Sequence, residues 1–203
     1  MKRRTIGIVD YGMNNLASVW RALHGLGYRC RVSDKPAALD EADLLLLPGV
    51  GAFPAAMSAL HEHGFVDYLQ TQGRAGRPLV GICLGMQLMA DVSMEHKLTE
   101  GLGLIAGQVD TLGRGRWHIG WNSMEVVRDD HLIKPSDGHS FYFNHSYVFH
   151  APIEYQIGVA RLEESIPTAV RRGNLVGLQF HPEKSQQAGR DLLRNVIEGL
   201  CRD

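Results

Sequence analysis

Cysteine is scarce in this sequence. Cys30, Cys83 and Cys201 are the three thiols in 203 residues, an odd number with no CxxC spacing, which argues against a disulfide framework and fits a reducing, cytoplasmic setting. An excess of charge of either sign is missing too: 21 Lys and Arg stand against 22 Asp and Glu, so the balance gives no reason to expect nucleic acid or an anionic membrane as partner. The basic runs Lys2-Arg3-Arg4, Arg114 with Arg116, and Arg171-Arg172 are short, carry no interleaved aromatics and read as solvated edges. The apolar stretch Ile6-Gly7-Ile8-Val9 is cut short by Asp10 and has no cleavage site, so it reads as a first strand and not as a signal peptide. The chain has no internal repeat, no low-complexity segment, no P-loop and no GxGxxG phosphate fingerprint. Ten histidines are present, but no HExxH spacing accompanies them. His61 and His63, two apart on a helix, point to different faces, and His139, His145 and His150 show no ligand spacing, so no metal and no cofactor is expected.

What is present is a βαβ rhythm. Strand-like runs at Thr5 to Asp10, Arg29 to Ser33 and Asp43 to Pro48 alternate with helical patterns such as Asn15 to Leu26, which Gly27 closes. Leu44 to Leu47 is continuously apolar, as a central parallel strand buried on both faces requires. From about Gly107 to Val170 the pattern changes to short strand-like pieces, among them His118 to Val127 and Ser140 to Tyr147, which predict hairpins added to the parallel sheet. A last helix over about Gln186 to Leu200 carries Leu192, Leu193, Val196, Ile197 and Leu200 on one stripe. With 44% apolar residues and no polar linker, residues 1–203 read as one α/β domain, a mostly parallel central sheet flanked by helices with added antiparallel strands.

The chemistry concentrates at Gly81-Ile82-Cys83-Leu84-Gly85. An apolar run precedes this pentapeptide and the helix formers Met86 to Ala90 follow it, which predicts a thiol on a tight strand-to-helix elbow. Glycine on each side removes the side chains that would collide there, and the first helical amides favour a thiolate. The same pentapeptide also suits a cysteine packed as a small hydrophobe. A base for the thiol is available far downstream, in Leu178-Gln179-Phe180-His181-Pro182-Glu183. There His181 is expected at a strand end and Glu183 can hold its distal nitrogen, with Pro182 stiffening the link. Loops after different parallel strands converge on one crevice, so the two motifs can meet. A surface His-Pro-Glu turn is the plainer reading of the second motif taken alone.

Gly-Ile-Cys-Leu-Gly-Met-Gln at 81–87, followed by Gln-Phe-His-Pro-Glu at 179–183, resembles the triad glutamine amidotransferases. Further segments narrow the resemblance: Gly7 to Leu16, Pro48 to Phe53, Thr99 to Gly103, His118-Ile119-Gly120-Trp121-Asn122 and Phe143-Asn144-His145-Ser146-Tyr147. They are similar to one branch, the glutaminase subunits of imidazole glycerol phosphate synthases, over nearly the whole chain. The resemblance implies the class I amidotransferase fold. It implies Cys83 as nucleophile, His181 as proton shuttle and Glu183 as its orienting partner, with the backbone N–H groups of Leu84 and Val50 as oxyanion donors. It also implies that Gly49, Gly51, Gln87, His145, Ser146 and Tyr147 border bound glutamine. The implied partner is a (β/α)8 cyclase that receives the ammonia and forms imidazole glycerol phosphate and aminoimidazole carboxamide ribonucleotide for histidine biosynthesis. Asn14, Asn15, Trp121, Asn122, Tyr142 and Lys184 are the expected contact residues, and Trp121 suits a core position equally well.

Two positions depart from the pattern: Asn14 stands where many relatives have Gly, and Arg116-Trp117 where relatives commonly have a small residue or Pro. They leave open a paralogous glutaminase that feeds another synthase, such as a surface-sugar amidation enzyme or the one making aminodeoxychorismate. A regulatory module with an inert cysteine is the remaining alternative.

Overall fold

The computed structural model describes residues 3–13, 15–113 and 116–202. In chain order the first half comprises β1 (Thr5–Val9), α1 (Leu16–Gly25), β2 (Arg29–Ser33), β3 (Leu44–Gly49), α2 (Phe53–Glu62), α3 (Phe65–Arg74), β4 (Leu79–Cys83) and α4 (Leu84–Gln87). Short strands follow: β5 (Val92–Ser93), β6 (Thr99–Glu100), β7 (Gln108–Thr111), β8 (His118–Ser123), β9 (Glu125–Val126), β10 (Ser140–His145) and β11 (Tyr147–His150). The chain closes with β12 (Gln156–Arg161), β13 (Ser165–Arg172), β14 (Leu175–Leu178) and α5 (Gln186–Leu200). Among the described residues no helix is long and apolar enough to cross a membrane.

Eight strands form the main sheet in the order β2-β1-β3-β4-β14-β13-β12-β9. From β2 to β14 the pairs are parallel, and β13, β12 and β9 extend the sheet in antiparallel fashion. The leucine run of β3 does what its pattern requires: Leu44 and Leu46 enter the core on one face, Leu45 and Leu47 the core on the other, and all four are fully buried. Burying four leucine side chains contributes about 6–12 kcal/mol against conformational entropy. On the first face lie α1 and α5, with Leu192, Val196 and Ile197 beside Phe141 and Phe180. On the second lie α2 and α3, through Phe53, Phe65 and Leu69.

The short strands of the middle segment are only partly an extension of this sheet. β8 and β10 pair with each other as a separate two-stranded ribbon, and β11, β7, β5 and β6 form a four-stranded sheet of their own. The expected single piece Ser140 to Tyr147 is therefore broken at Ser146, where the chain passes from the ribbon into the second small sheet. That passage brings residues 144–147 over the end of β4.

Candidate active site

Strand β4 sits between β3 and β14 and delivers Cys83 at its carboxyl end. Cys83 has φ 55° and ψ −111°, a left-handed φ rare for a residue with a side chain, and one that persists only where the surroundings enforce it. The enforcement is visible on either side. A Cβ on Gly81 would lie 2.5 Å from the Gly85 carbonyl oxygen, and one on Gly85 would lie 1.8 Å from the Leu47 carbonyl oxygen. Backbone meets backbone at both places, so the elbow needs both glycines. The helix that follows is a single turn, Leu84–Gln87, and not the run to Ala90 that its helix formers predict. The amides of Met89 and Ala90 bond the carbonyls three residues back, Met86 and Gln87, and the carbonyls of Leu88, Met89 and Ala90 accept from Leu102, Leu104 and Gly103, so the helix tightens into a turn that the 102–104 segment ties down.

The next strand over, β14, is in register with β4 through Leu178 and Ile82. It ends at Leu178, three residues before His181, so the imidazole is carried by a following turn and not by the strand itself. The turn is tied down. The His181 amide donates to the Tyr142 carbonyl at 2.8 Å, and the Ser185 hydroxyl donates to the His181 carbonyl at 2.7 Å. A Cβ on Gly189 of α5 would lie 1.9 Å from the Pro182 carbonyl oxygen, so α5 packs directly on the turn. His181 Nδ1 and Glu183 Oε1 are 2.8 Å apart, with both side chains almost fully buried.

Burial alone would lower the His181 pKa, but hydrogen bonding to Cys83 and Glu183 and the charges of those two groups outweigh it and hold the pKa up, at about 10. Glu183 Oε2 is buried without a hydrogen-bond partner, so charge compensation for this carboxylate falls on the imidazolium. The Cys83 sulfur is also 3.9 Å from the Asn144 carbonyl oxygen and 3.9 Å from Gln179 Nε2.

These groups open on a crevice of about 320 Å³ whose lining includes Val50, Gly51, Leu84, Gln87, His145, Ser146, Tyr147 and Lys184. Five of the six residues expected to border glutamine, Gly51, Gln87, His145, Ser146 and Tyr147, are thus gathered there. Gly49 is behind them, wedged against the Tyr11 hydroxyl and Leu84. Leu84 opens α4 with its N–H at the elbow. The Val50 N–H does not face the sulfur in this conformation: it donates to the Met13 carbonyl at 3.1 Å. Gln87 Nε2 donates to the Tyr147 carbonyl and to Gln179 Oε1, both at 3.0 Å.

Glu95 and Gln179 were not among the residues singled out from sequence. Glu95 is a nearly buried carboxylate on the crevice wall whose Oε2 accepts the Phe53 amide at 2.8 Å. Gln179 is a fully buried amide interrupting an apolar run, and that interruption is a signal the sequence did carry. Among the described residues, no group of three His, Cys, Asp or Glu side chains could hold a metal ion.

Of the expected contact residues, Asn14 lies outside the described residues, and Asn15 precedes α1 without a side-chain capping bond. Trp121 is 52% exposed, which answers the core-or-surface question in favour of the surface. It packs edge-on against Tyr142, and Lys184 Nζ lies 5.9 Å from the Tyr142 ring centroid at the crevice mouth. Asn122 is turned inward: its amide donates to the Arg161 carbonyl and to His118 Nε2.

Residues 7–199 match the family model "Glutamine amidotransferase class-I". The chain is 43% identical to an imidazole glycerol phosphate synthase subunit HisH from Carboxydothermus hydrogenoformans, over 95% of this chain and 98% of that protein. It is 42% identical to the protein of that name from Halalkalibacterium halodurans, over 94% of each chain, and 41% identical to the one from Listeria innocua, over 95% of each. A solved glutamine amidotransferase superposes with a TM-score of 0.77 over 97% of this chain and 98% of that one at 22% identity, a likeness of fold. PurLQS from Thermotoga maritima gives a TM-score of 0.77 over 98% of this chain and 100% of that one at 18% identity, again a likeness of fold.

Proposed function

The chain belongs to the class I glutamine amidotransferases, and from that premise we propose that it is the glutaminase subunit of an imidazole glycerol phosphate synthase in histidine biosynthesis. The observation that carries the reading is the meeting of Cys83, on its strained elbow, with a buried His181 held at 2.8 Å by Glu183, in a chain about 40% identical to HisH subunits over almost their full length. With its pKa held above the ordinary histidine range, His181 is the base that takes the Cys83 proton so that the sulfur attacks as thiolate.

The thiolate attacks the side-chain carbonyl carbon of glutamine, and the carbonyl π electrons move onto oxygen. Leu84 N–H is positioned for that oxyanion, and Val50 N–H reaches it once its peptide turns from Met13. As the tetrahedral species collapses, the carbon–nitrogen bond breaks, His181 gives its proton to the departing nitrogen, and ammonia leaves a Cys83 thioester. Water then adds to the thioester, losing a proton to His181, and collapse releases glutamate and restores the thiolate. Glu95, a carboxylate on the crevice wall, suits the cationic α-amino group of the substrate, while Gln87, His145, Ser146 and Tyr147 frame its remainder.

The ammonia has to be used before water protonates and dilutes it, so the partner is a (β/α)8 cyclase seated over the crevice mouth. The alternating residues Trp117, Ile119 and Trp121 of the β8 segment are 70%, 59% and 52% exposed. With Tyr142 and Lys184 beside them they form the apolar face on which the cyclase docks. Three cysteines, odd in number and without CxxC spacing, suit the cytoplasm, and we treat the chain as one domain. The test is Cys83→Ala in the reconstituted complex. Glutamine-dependent synthesis is lost while synthesis from added ammonium salt persists. Glutamine turnover at the wild-type rate would reduce Cys83 to a packing residue and end the assignment.

A further inference from the structure

Resting on that reading, the structure holds an ordered chain of hydrogen bonds that one carbonyl group polarises in both directions. The Tyr147 carbonyl oxygen can only accept, and two nitrogens face it: Gln87 Nε2 at 3.0 Å and His145 Nδ1 at 2.9 Å. Both must present hydrogens. Burial, together with the nearby His118 and His181, keeps the His145 pKa down at about 4, so the ring is neutral. With Nδ1 protonated, its Nε2 is a bare acceptor.

The atom facing that acceptor is His118 Nδ1 at 2.9 Å, which therefore carries the hydrogen. His118 Nε2 is then an acceptor in turn, and it receives the Asn122 amide at 3.2 Å. On the other branch Gln87 gives its second hydrogen to Gln179 Oε1 at 3.0 Å, which turns Gln179 Nε2 toward the Cys83 sulfur at 3.9 Å. Every tautomer and every amide orientation follows from the one carbonyl.

We propose that His118 is a positioning residue for glutamine hydrolysis, acting through His145 and the Tyr147 carbonyl to fix the amide of Gln87 and, beyond it, the hydrogen that Gln179 directs at Cys83. The fold builds the pair deliberately into place. His118 and His145 are direct cross-strand partners in the β8–β10 ribbon, both are nearly buried, and the His118 ring stacks on Phe143 with centroids 4.2 Å apart. With both Gln87 hydrogens committed, the group it offers the crevice is its carbonyl oxygen. Without the His118 hydrogen, His145 Nε2 becomes a buried acceptor with no donor. The opposite tautomer of His145 then relieves it, but that tautomer sets a bare Nδ1 2.9 Å from the Tyr147 carbonyl oxygen, two acceptors facing each other, so the carbonyl shifts away and carries the Gln87 amide bonded to it. The effect falls on how glutamine is held, not on the chemistry of ammonia use.

The experiment compares two polar substitutions in the complex with the cyclase and its ligand. His118→Asn places an amide nitrogen where imidazole Nδ1 sits and keeps the hydrogen on His145. His118→Gln carries its amide out to the Nε2 position and loses it. The KM for glutamine rises roughly tenfold in His118→Gln, as expected for an orphaned buried acceptor, with kcat within about threefold. His118→Asn stays within about twofold of wild type on both constants, and ammonium-dependent synthesis is unchanged in both. Equal KM values for the two variants overturn the proposal. Nitrogen-15 shifts of the wild-type histidines test it independently of how the variants fold: His145 is protonated at Nδ1 and bare at Nε2, and the reverse tautomer overturns it. A wild-type complex that fails to hydrolyse glutamine sinks the proposed function itself, while the nitrogen shifts still report on the chain of bonds.

Discussion

Replacing Glu183 by Gln removes a charge but keeps the shape, and the structure sets both the size and the pH dependence of the result. The native His181 pKa of about 10 lies above its ordinary value of 6.5. Burial opposes the rise, and Cys83 and Glu183 together override it. A group whose pKa is raised on folding contributes stability that is fully present below the unfolded value and is lost as pH climbs through the folded one. The window here is therefore pH 6.5 to 10. Glu183 supplies one charge-assisted hydrogen bond to that imidazolium, worth about 2 kcal/mol.

In Glu183→Gln the His181 pKa falls, so the variant is less stable than wild type by about 2 kcal/mol near pH 6. The gap holds until pH reaches the variant's lowered His181 pKa and closes from there to about pH 10. Replacing the orienting carboxylate of a comparable triad by its amide lowers turnover about 10⁴-fold, and a loss of about 10²- to 10⁴-fold is expected here, smaller than the loss in His181→Ala. Urea denaturation of both proteins at half-unit pH steps measures the first effect, and glutamine turnover in the complex measures the second. Parallel stability curves, with no narrowing between pH 6.5 and 10, would refute the reasoning, because His181 would then not be the cation that Glu183 holds.

Two further outcomes follow from the crevice mouth. Because the Val50 N–H is engaged with Met13, the subunit alone turns over glutamine about 10²- to 10³-fold more slowly than the ligand-loaded complex, the usual consequence of one missing oxyanion donor. Assays of the subunit alone, with the cyclase, and with the cyclase and its ligand check this, and equal rates in all three discard the gating. Trp121→Ala weakens association with the cyclase in titration calorimetry while leaving the melting temperature of the isolated subunit within a degree or two, since Trp121 is half exposed. A fall in melting temperature of the size a core deletion causes, from about 3–5 kcal/mol of lost stability, returns Trp121 to the interior.

The parts of the fold that depend on local chemistry were legible in the sequence. β2 and α5 lie where their patterns placed them, the apolar run of β3 is buried on both faces, and the two glycines of the elbow are required sterically. Legibility failed where distant segments compete for the same backbone groups. The helix after Cys83 stops early because the amides of Met89 and Ala90 turn to carbonyls three residues back and residues 102–104 hold the turn that follows, and helix propensity carries no record of that. His118 was read only as part of a motif, because its significance lies in facing His145 across a ribbon whose register a single strand does not reveal. Glu95 gave no sign at all. A carboxylate in a polar stretch looks solvated until the chain folds it against the N-terminus of α2.

The contacts at Gly81 and Gly85 bear on how this protein can be re-engineered. With backbone pressed on backbone among β3, β4 and the elbow, the sulfur takes its coordinates from peptide planes and not from the side chains around it. Those side chains can be exchanged for better-packing ones on either face of the sheet, to raise heat tolerance for example, with little retuning of the reactive atom. Designs that touch the glycines, or the Leu47 carbonyl against which Gly85 rests, lose that freedom at once.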